Sequence, residues 1–111
     1  MNRLLLFAFW AAVAATLYFT LRPVTVIVPG SDKTQHAVTF LMLTLIAASA
    51  YRRMSLLWLA VALSAFGAAI EIVQPFFGRG RDIKDWIADT IGILVALGLV
   101  WLVRRLRSAP A

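Results

Sequence analysis

Residues 56–77 read LLWLAVALSAFGAAIEIVQPFF, an apolar run with one charge in it, Glu71. Roughly 20 residues of such composition are what a helix needs to cross hydrocarbon. A carboxylate inside that run is expensive to hold in a bilayer, so residues of this kind are usually partnered and often functional. Three further stretches resemble it, at about 4–21, 34–51 and 86–103. The predicted fold is therefore all-α. It is a polytopic membrane protein forming a single domain over 1–111, a bundle of four transmembrane helices with short connections. Consecutive helices are expected to be antiparallel neighbours.

Composition agrees with a membrane class. The chain is 62% hydrophobic and 14% charged, too apolar for a small globule that must cover itself with polar surface. It has no Cys and one His. Thiolate zinc sites, disulfides and thiol catalysis are excluded, as is a multi-His centre within one chain. No metal or cofactor is expected. The net charge of +6 does not point to nucleic acid, because the bases flank apolar spans and form no basic-aromatic surface. There is no Gly-rich phosphate loop or nucleophile elbow.

Local signals mark the boundaries. Pro23, Pro29 and Gly30 separate the first two spans, and Pro75 with Gly78 ends the third. Ser31 is placed to cap the second helix, with Asp32 in its first turn. Trp86 and Trp101 suit the two interfaces of the fourth span. The first span, with Arg3 and the small residues from Ala11 to Thr16, also resembles a secretion signal. Its apolar run continues through Phe19 and three spans follow, which favours a retained helix.

Charge divides by side. Arg3, Arg52, Arg53, Arg104, Arg105 and Arg107 fall at one end, without acids. Arg22, Lys33, Arg79, Arg81 and Lys84 fall at the other, with all five acids: Asp32, Glu71, Asp82, Asp85 and Asp89. The acids offset the bases there, so the expected topology puts both termini in the cytoplasm and the acid-rich end outside the bacterial inner membrane.

Helical spacing gathers the polar residues at that end. Asp32, His36 and Phe40 stand at i, i+4, i+8. Glu71 and Gln74 stand at i, i+3. Asp82, Asp85 and Asp89 stand at i, i+3, i+7, with Gly92 continuing their face. An Asp32–His36 pair reads either as a mutually satisfied cap or as a carboxylate orienting a proton acceptor. Glu71 reads either as the buried partner of an Arg or His that locks helices together, or as a protonatable or ligand-binding carboxylate; Gln74 is expected beside it. Lys33 is a snorkelling anchor or a phosphate contact. Arg79 and Arg81 flank Gly80 as a solvated turn or as a fork for an anionic headgroup. Asp82 and Asp85 would restrain those arginines or join Glu71 on a divalent cation. Gly92 marks close helix packing.

The ordered set Asp32-Lys33-x-x-His36-x-x-x-Phe40, Glu71-x-x-Gln74, Arg79-x-Arg81-Asp82-x-x-Asp85 and Asp89-x-x-Gly92 resembles the VanZ-like family of integral membrane proteins over about residues 31–95. Position 89 departs from that family's pattern, which commonly has Asn before the Gly. The resemblance implies a membrane protein related to one that lowers susceptibility to the glycopeptide teicoplanin, with no established reaction. The reading that results is a protein of the cell envelope, linked to antibiotic resistance. Its outward polar pocket takes an anionic envelope lipid or precursor headgroup, using Asp32, Lys33, His36, Glu71, Gln74, Arg79, Arg81, Asp82, Asp85 and Asp89. The alternatives are an enzyme acting on a lipid-linked phosphate, with His36 and Glu71 as catalytic candidates, a small proton-coupled transporter, and a structural partner subunit.

Overall fold

The structure, a computed structural model, describes residues 2–22, 31–78 and 82–108, with the helical backbone alone for Ser31 and Asp32. Four α-helices make a bundle 54 × 27 × 20 Å in extent. They are α1 (Arg3–Leu21), α2 (Ser31–Ala50), α3 (Leu56–Val73) and α4 (Ile83–Ser108), and the 3-10 turn Gln74–Phe77 extends α3. The predicted spans fall on these elements. α4 is longer than its apolar stretch and runs on through Arg104, Arg105 and Arg107.

The helix ends follow from local chemistry. Asn2 caps α1, its side-chain oxygen accepting from the Leu4 and Leu5 amides at 2.8 and 3.2 Å. Ser55 caps α3 by accepting from the Trp58 amide at 3.2 Å. Asp82 caps α4 by accepting from the Lys84 amide at 2.9 Å. Each satisfies an amide that the first turn of a helix leaves without a partner. Pro75 opens the 3-10 turn, and Gly78 closes it at φ 78°, a left-handed backbone that favours glycine. The expected Ser31 cap and the Asp32 side chain lie outside the described residues.

Packing departs from the expectation of chain neighbours. The most extensive contact joins α2 to α4, followed by α3 to α4, while the consecutive pair α2 and α3 meets only modestly. α2 and α4 run parallel: Lys33 meets Asp82 near their starts, and Arg104 donates to the Ala48 carbonyl near their ends. They bury matching stripes. On α2 these are His36, Phe40, Leu43, Thr44 and Ala47; on α4 they are Asp85, Ala88, Asp89, Gly92, Ile93 and Ala96. Gly92 sets the approach. A Cβ there would lie 2.1 Å from the Ala37 carbonyl oxygen, so only glycine lets the backbones pass so closely.

Three helices, Arg3–Leu21, Leu56–Phe77 and Ile83–Ser108, are long and apolar enough to cross a membrane. α2, the second of the four stretches read as spans, is not among them. It is the helix on which α1, α3 and α4 all pack. Covered by them, it meets less lipid and can carry Lys33, Gln35 and His36 in its first two turns. α1 is the most peripheral, with only Phe9 and Thr16 buried. Phe9 packs edge-on to Trp10 and Tyr51, and Trp10 Nε1 donates to the Tyr51 hydroxyl at 3.0 Å. Phe40 lies against Phe66 in the core.

Gly92→Ala should therefore destabilise the bundle by about 1–3 kcal/mol or more, as overpacking does. Gly98 has nothing within 4 Å of its Cβ direction, so Gly98→Ala should be neutral or stabilising by about 0.5–1 kcal/mol. Unfolding of both variants in one detergent checks the contrast.

Candidate functional site

The buried polar groups collect where α2 and α4 begin and α3 ends. His36, Glu71, Gln74, Asp85 and Asp89 are all buried, and Asp89 is 0% exposed. The helices place them in register. α2 and α4 start side by side, and α3, running opposite, delivers Glu71 and Gln74 from its last turns.

His36 is held from α4. Its Nδ1 lies 2.8 Å from Asp89 Oδ1, and its Nε2 lies 3.7 Å from Asp85 Oδ2. A carboxylate can only accept, so with Asp89 ionised the imidazole carries a proton on Nδ1, and its Nε2 lies toward Asp85. Asp89 thus orients His36 from α4, a contact that spacing within α2 does not give; the expected Asp32 partner lies outside the described side chains. Glu71 accepts from the Asp82 backbone amide through Oε2 at 3.1 Å, tying the end of α3 to the start of α4. One ligand atom from each of His36, Glu71 and Asp85 lies within 4.8 Å of the others. Gln74, expected beside Glu71, instead donates from Nε2 to the Thr20 carbonyl at 3.0 Å and so ties α3 to α1.

Lys33 covers the cluster. Its ammonium bonds Asp82 at 2.8 Å and also Asp85. Hydrogen bonding from Lys33 first, and from the Lys84 amide second, holds the Asp82 carboxyl below the usual carboxylate range. Asp82 first and Asp85 second hold the Lys33 ammonium above the usual lysine value. Arg79 and Arg81 lie outside the described residues, as does the side chain of Asp32. In the sequence the two arginines stand between Gly78 and Asp82, whose positions are described.

Spacing did not reveal Gly67. It stands one turn before Glu71, and a Cβ on it would lie 2.8 Å from Asp89 Oδ2. Its lack of a side chain gives Asp89 room beside α3. The i, i+4 relation of Gly67 to Glu71 was the available signal. A separate groove of about 370 Å³ runs between α3 and α4 along Ala60, Ser64 and Ala68, from Trp86 past Thr90 to Leu94. Its polar atoms are already engaged: Trp86 Nε1 donates to the Ser64 carbonyl, Ser64 and Thr90 share a hydrogen bond, and Thr90 donates to the Trp86 carbonyl.

A helical, multi-pass membrane protein with a buried polar cluster at one end of the bundle is the class these features define. The chain belongs to the VanZ/LLP1 family, whose model matches residues 2–104. Neither curated proteins nor solved structures give a match.

Two outcomes test the geometry. The Lys33–Asp82 tie is complete above the ordinary Asp range and is lost as pH falls through the lowered Asp82 value. Its alkaline limit lies beyond the ordinary Lys range, because Lys33 is raised. Asp82→Asn keeps a capping side chain, so its deficit in melting temperature should be constant near neutrality and close in acid. Gly67→Ala should shift the imidazole NMR resonances of His36, the sole His, by moving Asp89.

Proposed function

We propose that the acid-rich end faces outward from the bacterial inner membrane, with both termini cytoplasmic, and binds an anionic cell-envelope lipid or precursor headgroup. The observation that carries this reading is the buried cluster of His36, Glu71, Asp85 and Asp89 roofed by Lys33. Such a concentration of ionisable groups at one depth of an apolar bundle is costly without a use. Arg79 and Arg81 are the anion contacts in this reading, since guanidinium groups meet phosphate oxygens bidentately. The acids then orient the basic groups and set their spacing. The groove between α3 and α4 begins at Trp86, next to Asp85 in the chain, and its spent hydrogen bonds suit an acyl chain. That favours a lipid over a soluble anion. Family membership supports a role in teicoplanin susceptibility by analogy.

Lipids and precursors that copurify with the protein, identified by mass spectrometry, should be enriched in one anionic class and lose it in Arg81→Ala. Where the protein alters teicoplanin susceptibility, Glu71→Ala and Arg81→Ala should remove the effect at unchanged membrane abundance. Full activity in both variants would sink the reading.

The His36–Asp89 contact favours one second reading, hydrolysis or transfer on a lipid-linked phosphate with His36 as general base. Turnover of such a lipid by purified protein, lost in His36→Gln, is its signature.

A further inference from the structure

The side chains at this end have the composition of a metal centre. His36 comes from α2, Glu71 from α3 and Asp85 from α4, and one ligand atom of each lies within 4.8 Å of the other two. Bonds of about 2.0–2.2 Å to imidazole and carboxylate hold two ligand atoms at most about 4.4 Å apart, so these side chains would draw together by a few tenths of an ångström or more around an ion. All three residues are buried, so an ion among them would be shielded from water. Two carboxylates and a neutral imidazole also neutralise a divalent charge, which makes the set electrically suited to a low-dielectric site.

A second and independent observation concerns the far side of the imidazole. Asp89, 0% exposed, holds His36 Nδ1 at 2.8 Å. This is the carboxylate–histidine arrangement that fixes a metal-binding tautomer and raises the basicity of the ligating nitrogen. Nε2 lies on the other side of the ring, 3.7 Å from Asp85 Oδ2. That distance is too long for a hydrogen bond between them, but it fits two atoms bound to one cation. Lys33 bonds the other oxygen of Asp85, Oδ1, and so steadies the carboxylate from outside. Gln74 adds a buried amide oxygen, Oε1, without a hydrogen-bond partner among the described residues, one turn beyond Glu71.

We infer that His36, Glu71 and Asp85 form a divalent transition-metal site, with Asp89 as the positioning residue for His36. A mixed nitrogen and oxygen donor set selects zinc or a neighbouring transition ion over magnesium and calcium, which prefer oxygen alone. The sequence offers Glu71 with Asp82 and Asp85 as the alternative cation set, and the tertiary structure groups Glu71 and Asp85 with His36. This inference does not depend on the headgroup reading, and its test uses no lipid phosphate.

The experiment is zinc binding by untagged protein in uncharged detergent after chelator treatment. Metal is counted by mass spectrometry and affinity is measured by titration. About one zinc per chain is expected to bind, with magnesium failing to displace it. Asp89→Asn, which keeps an acceptor but removes the charge, should weaken binding by about 10–100-fold, while His36→Gln and Glu71→Gln should abolish it. Where either of those variants misfolds, the wild type decides. With imidazole 15N labels on the single His, zinc should move the Nε2 resonance and leave Nδ1 protonated. An imidazolium bridging two carboxylates would show both nitrogens protonated and indifferent to zinc, which overturns the inference. So does wild-type protein that retains no zinc, or a folded His36→Gln variant that binds it as tightly.

Discussion

A polar group inside hydrocarbon has to find its partner within the protein, and in this chain that constraint falls on the seam between α2 and α4. The seam is held at its polar end by His36 against Asp89 and by Lys33 against Asp82 and Asp85. Farther along it is held by close backbone contact at Gly92. The two are coupled. Without the approach that Gly92 allows, Asp89, one turn earlier on the same face, would stand farther from His36. Without the polar contacts, α2 and α4 would bring costly unpaired groups into an apolar bundle.

The rest of the bundle is arranged around that seam. α3 packs mainly on α4 and brings Gly67 against Asp89, then Glu71 against the Asp82 amide. α1 lies outermost, joined at one end by Trp10 to Tyr51 and at the other by Gln74 to the Thr20 carbonyl. The exposed faces carry Phe7, Trp58, Ile91 and Leu94, side chains suited to lipid. Shielding by three neighbours explains how α2, which is not among the helices apolar enough to cross a membrane alone, can stand at the centre.

Much of this is legible in the amino-acid sequence. Apolar runs gave the helices to within a few residues, because a hydrocarbon crossing sets both length and composition. The i, i+3 and i, i+7 spacing of Asp82, Asp85 and Asp89 gave their shared face, and Gly92 gave the close packing. Partner choice was less legible. Asp89, 53 residues from His36, holds its ring, and no spacing within α2 points to it. Gln74 was expected beside Glu71 and reaches α1. Sequence spacing ranks partners within one helix and carries no information on which helix lies opposite.

The sequence by itself determined that the chain is helical, that it belongs in a membrane, and that its acids gather at one end, because these depend on hydropathy, helical periodicity and chain direction alone. Only the tertiary structure decided that α2 and α4 form the central parallel pair. It also decided that the lone His sits between carboxylates of α4 and α3. The physical reason is that pairing across helices is selected by the fit of whole surfaces. Here Gly92 against Ala37 and Gly67 against Asp89 set that fit, and no periodicity within a single helix records it.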